Sequence, residues 1–181
     1  MKIFKALTTA ATAAVVCTVM FPLSASAQET PKLSDPEIAS VAVTANQIDV
    51  NYGKIALKQT KNADIRQFAQ TMVTDHTAII AQAVALATKL GVTPKDNAVT
   101  QQLLAGEKKT TRLLHAKKGK AFDKAYIDNE VAYHEAVVST VQNVLIPQSQ
   151  NQELKQLLQK VMPLLNEHLD HAKMVQSKFQ K

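Results

Sequence analysis

Residues 62–94 read NADIRQFAQTMVTDHTAIIAQAVALATKLGVTP, and this stretch decides the fold class. Alternating steps of four and three from Ile65 reach Ala69, Met72, His76, Ile79, Ala83, Leu86 and Leu90, the spacing that keeps one face of an α-helix toward a common axis. Asn62 stands where a helix N-cap is needed, and Gly91 followed by Pro94 supplies a left-handed stop and then a breaker. The stretch is one long amphipathic helix whose apolar row carries a single polar residue, His76.

The same pattern continues on both sides. Ser34-Asp35-Pro36-Glu37 reads as a capping box with proline in the first turn, starting a helix to about Thr60 with the row Ile38, Ala42, Ala45, Asp49, Tyr52, Ala56. Downstream, a more polar helix spans about Asp96 to Lys118 and stops at Gly119. A fourth runs from about Phe122 to Ile146, ending before Pro147, with the row Ile127, Val131, His134, Val138, Val141, Leu145. A loop of Gln, Ser and Asn leads to a fifth, from about Asn151 to Phe179, with the row Leu154, Leu158, Val161, Leu165, His168, Ala172, Val175, Phe179. Pro163 lies inside that last helix and is expected to kink it, because the apolar period persists on both sides. Four long amphipathic helices and one polar helix in the long connection predict an all-α antiparallel four-helix bundle.

Each long row has one polar interruption: Asp49, His76, His134 and His168. Counted at 1.5 Å per residue from the turn that joins each pair, Asp49 and His76 differ in height by only about 4–5 Å, and His134 and His168 by about 7 Å before any kink at Pro163. Polar groups at one level of an apolar bundle are satisfied by one another, by water or by a ligand, since an unpaired one costs roughly 1–3 kcal/mol. Two readings follow. The four are direct ligands of a metal ion, or they form a buried network that locks helix register. Asp75, Glu130 and His171 flank the rows and are expected to support the first four, while Tyr52, Tyr126 and Tyr133 read as aromatics with one wet end.

The N-terminus carries a separate message. Lys2 and Lys5 precede an apolar run from Ala6 to Leu23, and Ala25-Ser26-Ala27 has the small-x-small pattern of a signal peptidase site, so cleavage is expected after Ala27 and export to the periplasm follows. Residues 28–33 then read as a flexible tether. Cys17 lies within the leader without a lipoprotein-type setting, so the mature chain is cysteine-free and relies on packing. Losing two lysines and no acid takes the net charge from +6 to +4. That mild excess argues against nucleic acid as a partner and for weak contact with anionic envelope surfaces, including the outer membrane. No later apolar run reaches the roughly 20 residues of a transmembrane helix.

Phe68-Ala69-Gln70-Thr71-Met72-Val73-Thr74-Asp75-His76, then Phe122-Asp123-Lys124-Ala125-Tyr126 with the following His134, then Pro163-Leu164 leading to His168-Leu169, together resemble the exported bacterial DUF4142 family. The resemblance covers nearly the whole mature chain and implies a ferritin-like helical bundle; the family's own activity is undefined. Ferritin-like metal proteins place a Glu on two helices and Glu-x-x-His on the other two. This chain departs from that pattern: Asp49 stands where relatives commonly carry Glu, the second helix offers Asp75-His76, the fourth Glu130 and His134, and the fifth Glu167, His168 and His171. A set rich in histidine and poor in inward carboxylate points away from di-iron chemistry and toward a single zinc, copper, nickel or iron ion on imidazoles with Asp49 as oxygen ligand.

Two functional readings stand side by side. One is a non-enzymatic metal-binding protein of envelope homeostasis or stress. The other is an envelope interaction or structural protein using the basic face of Lys108, Lys109, Arg112, Lys117, Lys118 and Lys120 beside His115. No Ser/His/Asp order, nucleophile elbow, phosphate-binding glycine loop or paired catalytic cysteine occurs.

Overall fold

The computed structural model describes residues 31–179. The signal-peptide reading of residues 1–27, and the first residues of the tether, fall outside them. Helix α1 runs Asp35–Gln59, α2 Ala63–Leu90, α3 Ala98–His115, α4 Gly119–Thr140 and α5 Gln152–Ser177. The described residues contain no strand.

The local signals act largely as their chemistry dictates. Glu37 accepts from the Ser34 N–H at 2.9 Å and from its hydroxyl at 2.6 Å, closing the start of α1. Asn62 Oδ1 accepts from the Ile65 N–H at 3.1 Å, and Gly91, at φ 62°, ends α2. Three boundaries differ from expectation. Helix α3 starts at Ala98, because Asn97 rather than Asp96 caps it, accepting from Val99 and Thr100 N–H groups. Gly119 does not close α3; with φ 54° it opens α4, three residues before Phe122. Pro147 does not end α4 either, since the helix passes through a π turn, Val141–Leu145, into Ile146–Gln148. A π turn already shifts the hydrogen-bond ladder by one residue, so an N–H missing just beyond it costs less than in a regular helix. The tether's last residue is also part of the fold: Leu33 is buried, and its N–H donates to Gln148 Oε1 at 2.6 Å. Helix α5 continues through Pro163.

Pair contacts define the arrangement. Thr60 to Asp123 and Ala45 to Tyr133 tie α1 to an antiparallel α4. Asp64 to Lys178, Asp75 to His168 and Lys89 to Glu153 tie α2 to an antiparallel α5. Helix α3 returns the chain along the length of α1 and parallel to it, through Ser40–Thr100 at 3.2 Å, Asn51 to Glu107 at 2.7 Å and Gln59–His115 at 3.4 Å.

The core forms two apolar clusters. One holds Tyr52, Phe68, Met72, Leu114, Phe122 and Tyr126; the other holds Ile38, Ile79, Leu145, Leu158 and Leu165. At the first, α1 and α2 nearly touch, since a Cβ on Gly53 would lie 2.8 Å from Val73 Cγ2 and 3.0 Å from the Ala69 carbonyl. Between the clusters lies a layer of buried Asp49, His76, Glu130, His134 and His168.

Candidate metal centre

Four helices each contribute to this layer. Asp49 comes from α1, His76 from α2, Glu130 and His134 from α4, and His168 from α5, and all five are at most 3 % exposed. Asp49 Oδ2 lies 3.0 Å from His76 Nε2 and 3.2 Å from His134 Nε2. The His168 ring is centred 5.0 Å from that of His76 and 5.6 Å from that of His134, so α5 delivers it to the cluster past Pro163. One nitrogen from each of the three histidines falls within 4.8 Å of the others, and an atom each from Asp49, Glu130 and His134 forms a second such group. His134 belongs to both.

The outward ring nitrogens fix what the inward ones can do. His134 Nδ1 donates to the Glu130 carbonyl at 3.0 Å, a group that can only accept. His168 Nε2 faces Asp75 Oδ2 at 2.9 Å, also an acceptor. His76 Nδ1 meets Asn46 Oδ1 at 2.7 Å, and the Asn46 amide is oriented by its own Nδ2 donating to the Ala42 carbonyl at 2.8 Å. Wherever one of these rings is singly protonated its proton therefore points outward, leaving His76 Nε2, His134 Nε2 or His168 Nδ1 free on the inner side. All three nitrogens, both Asp49 oxygens and both Glu130 oxygens are buried without a hydrogen-bonding partner among the described residues. Outward donation to a carboxylate or carbonyl with the inner nitrogen free is how metal-binding histidines are held.

Electrostatics reinforce the geometry. Burial pushes His134 and His168 below the ordinary imidazole value, His168 to about 4, with Asp49 and Asp75 respectively pulling the other way. Both are neutral at physiological pH. Burial would raise the Asp49 carboxyl; positive charge on the rings facing it, His76 first, outweighs that and holds it below the usual carboxylate range, so an ionised Asp49 needs a cation, proton or metal, among those rings. An ionised carboxylate oxygen 3.2 Å from an imidazole lone pair is repulsive unless a proton or a metal cation lies between them. Burial, then the Asp49 charge, drives Glu130 well above its ordinary value, so it is a neutral acid beside an ionised one.

Donor separations fit a small cation. Bonds of 2.0–2.2 Å from a tetrahedral zinc to nitrogen and oxygen place neighbouring donors about 3.4 Å apart, close to the 3.0 and 3.2 Å of the Asp49 contacts. Asp49 thus meets His76 and His134, His168 completes a histidine trio with those two, and Asp75 lies behind His168. His171 does not join them; its ring packs edge-on against Phe68 at 5.1 Å. Glu130, expected to support His134, has Oε2 3.7 Å from the outward His134 Nδ1 and also presents its carboxyl beside Asp49. Asn46 carried no sequence signal of its own beyond lying one turn before Asp49 on α1. Tyr126, one turn before Glu130, has a buried hydroxyl held protonated by burial and by Glu130. Tyr133 donates its hydroxyl to the Ala45 carbonyl at 2.9 Å and packs edge-on against Tyr52 at 5.7 Å.

A family model described as Domain of unknown function (DUF4142) matches residues 21–175. No curated protein and no solved structure is similar enough to count as a match.

Proposed function

This chain belongs to the DUF4142 family, and on that footing we propose that it is a periplasmic, ferritin-like four-helix protein that holds one divalent first-row transition-metal ion in its mid-bundle layer. Asp49, His76, His134 and His168 are the ligands, with Glu130 a fifth donor once a cation displaces its proton. The observation that carries this reading is the set of inward ring nitrogens on three buried imidazoles, each oriented by an outward hydrogen bond, with the Asp49 carboxylate against two of them. Three imidazoles and one carboxylate without thiolate suit zinc best, with copper, nickel and iron as competitors. A site closed on all sides by protein suits storage, buffering or structural use of the metal better than catalysis, which needs an open position.

Elemental mass spectrometry on protein purified from its native envelope without chelator tests this. About one equivalent of transition metal is expected, and His76→Ala and His134→Ala should each lose it. Metal-free protein that also ignores added zinc, copper, nickel and iron, or variants that both keep their metal, would overturn the reading.

A second reading rests on the outer face of α3. Leu104 and Leu113 are 42 % and 46 % exposed there, on the helix that also exposes Lys108, Lys109 and Arg112. Apolar and cationic side chains on one exposed helix suit peripheral contact with an anionic envelope surface. Reversing Lys108, Arg112 and Lys118 to Glu should release the protein from sedimented envelopes; unchanged sedimentation would count against this docking.

A further inference from the structure

The half of the molecule beyond the histidine layer holds a cavity of about 570 Å³, partly open to solvent past the exposed Ala132 and Ala136, and neither the metal reading nor the family assigns it a role. Its origin lies in the sequence. The core rows of α1 and α2 pass through Ala42, Ala45 and Ala83, α4 adds Ala132 and Ala136, and all five line the cavity. Helix α3 lies along α1 above this gap, pinned at one end by Ser40–Thr100 and farther along by Asn51–Glu107. Small side chains below and a hydrogen-bonded strap above hold the space open.

Its shape and chemistry select an occupant. A sphere of 570 Å³ would be about 10 Å across, yet the lining runs from Asp35 to Tyr52 on α1, which at 1.5 Å per residue is about 25 Å. The cavity is therefore long and narrow. Its walls are mainly Leu, Val, Ile and Ala, which offer few hydrogen-bonding partners to the water an occupant would displace. Volume and lining match sites that bury small apolar ligands with a few polar groups fixing orientation. One such group is the Asn129 amide nitrogen, buried on this wall with no hydrogen-bonding partner among the described residues. An unpaired donor on a mainly apolar wall suits a carbonyl oxygen attached to a hydrocarbon chain.

We infer that this cavity binds a single-chain acyl amphiphile, its chain lying along α1 among the helices that line the cavity, α2 included, and its carbonyl accepting from Asn129. The inference is independent of the metal. Free fatty acids and lysophospholipids share this chemistry, and competition separates them.

The test is fluorescence titration of the delipidated protein with cis-parinaric acid, followed by displacement with palmitate, with palmitoyl-lysophosphatidylcholine and with pyrene. Saturable binding at one site is expected, displaced by one or both chain amphiphiles. Ala83→Phe and Ala42→Leu, which fill the space, should each weaken it about tenfold or more while melting no lower than the parent. Val84→Ser, on the neighbouring exposed position, should leave it unchanged. Displacement by palmitate alone assigns a free acid, and by the lysolipid a membrane-derived one. Absent binding, binding that survives in a folded filled variant, or displacement by pyrene only would overturn the proposal.

Discussion

The two halves of this molecule on either side of the histidine layer are built from the same helices with the same apolar period, yet one is solid and the other hollow. Toward the α1–α2 turn, Phe68, Phe122, Tyr126, Leu114 and Met72 have no exposed surface. Toward the other end, alanines face a cavity, Leu86 is half-buried, and Val84 is 51 % exposed. Periodicity decides which face turns inward; side-chain volume decides whether that face closes. The largest test of this contrast pairs Phe68→Ala with Leu86→Ala. Removing the Phe68 ring from close packing should cost about 3–5 kcal/mol, while Leu86, already facing open space, should cost under about 1 kcal/mol. Urea unfolding followed by helical circular dichroism measures both. Equal losses would mean that the two halves are equally packed.

Between the halves, the polar layer sharpens the comparison because it faces both. Zinc at a hundred times its dissociation constant should stabilise the protein by about 2.7 kcal/mol over the chelated form. Asp49→Asn should abolish that gain. In chelator the same variant should be at least as stable as the parent, since it removes a buried carboxylate that faces lone pairs. If the layer served only to lock register, Asp49→Asn would instead lose roughly 1–3 kcal/mol without any metal. Thermal unfolding in zinc and in chelator separates the two outcomes.

How much of this was legible beforehand follows the same division. The four row interruptions, Asp49, His76, His134 and His168, could be read because a polar residue in an apolar stripe breaks a period. Glu130 could not be placed, since it sits one residue off the α4 row and small helix rotation decides whether such a residue faces in or out. Asn46 was invisible for the same reason, although it sets the His76 tautomer. Pro147 misled because the π turn before it is a tertiary accommodation that no local rule signals. The cavity was hidden most thoroughly: alanine in a core row is equally consistent with close helix contact and with space, and only the path of α3 over α1 resolves it.

Glycine positions test that ambiguity directly, one in each half. Gly53 lies in the solid half, where an added methyl meets Val73 Cγ2 at 2.8 Å and the Ala69 carbonyl at 3.0 Å. Alanine is ordinarily favoured over glycine in a helix by about 1 kcal/mol, but forcing α1 and α2 apart costs about 1–3 kcal/mol, so Gly53→Ala should destabilise by up to about 2 kcal/mol net. A raised midpoint in thermal unfolding would show that α1 and α2 are not in close contact there.

Gly106 is the counterpart in the hollow half. It lies mid-way along α3 with ordinary helical backbone, it lines the cavity, and a Cβ built on it meets nothing within 4 Å. With no clash to oppose it, Gly106→Ala should express the helix propensity alone and stabilise by about 0.5–1 kcal/mol, raising the melting temperature by a few degrees. The effect is the smallest of the series but the most diagnostic in sign. Opposite signs for the same substitution at two helical glycines cannot come from propensity, which is shared, and must come from the space each methyl enters. If Gly106→Ala destabilised the protein as Gly53→Ala does, α3 would have to lie down on α1 and α4, and the cavity beneath it would close.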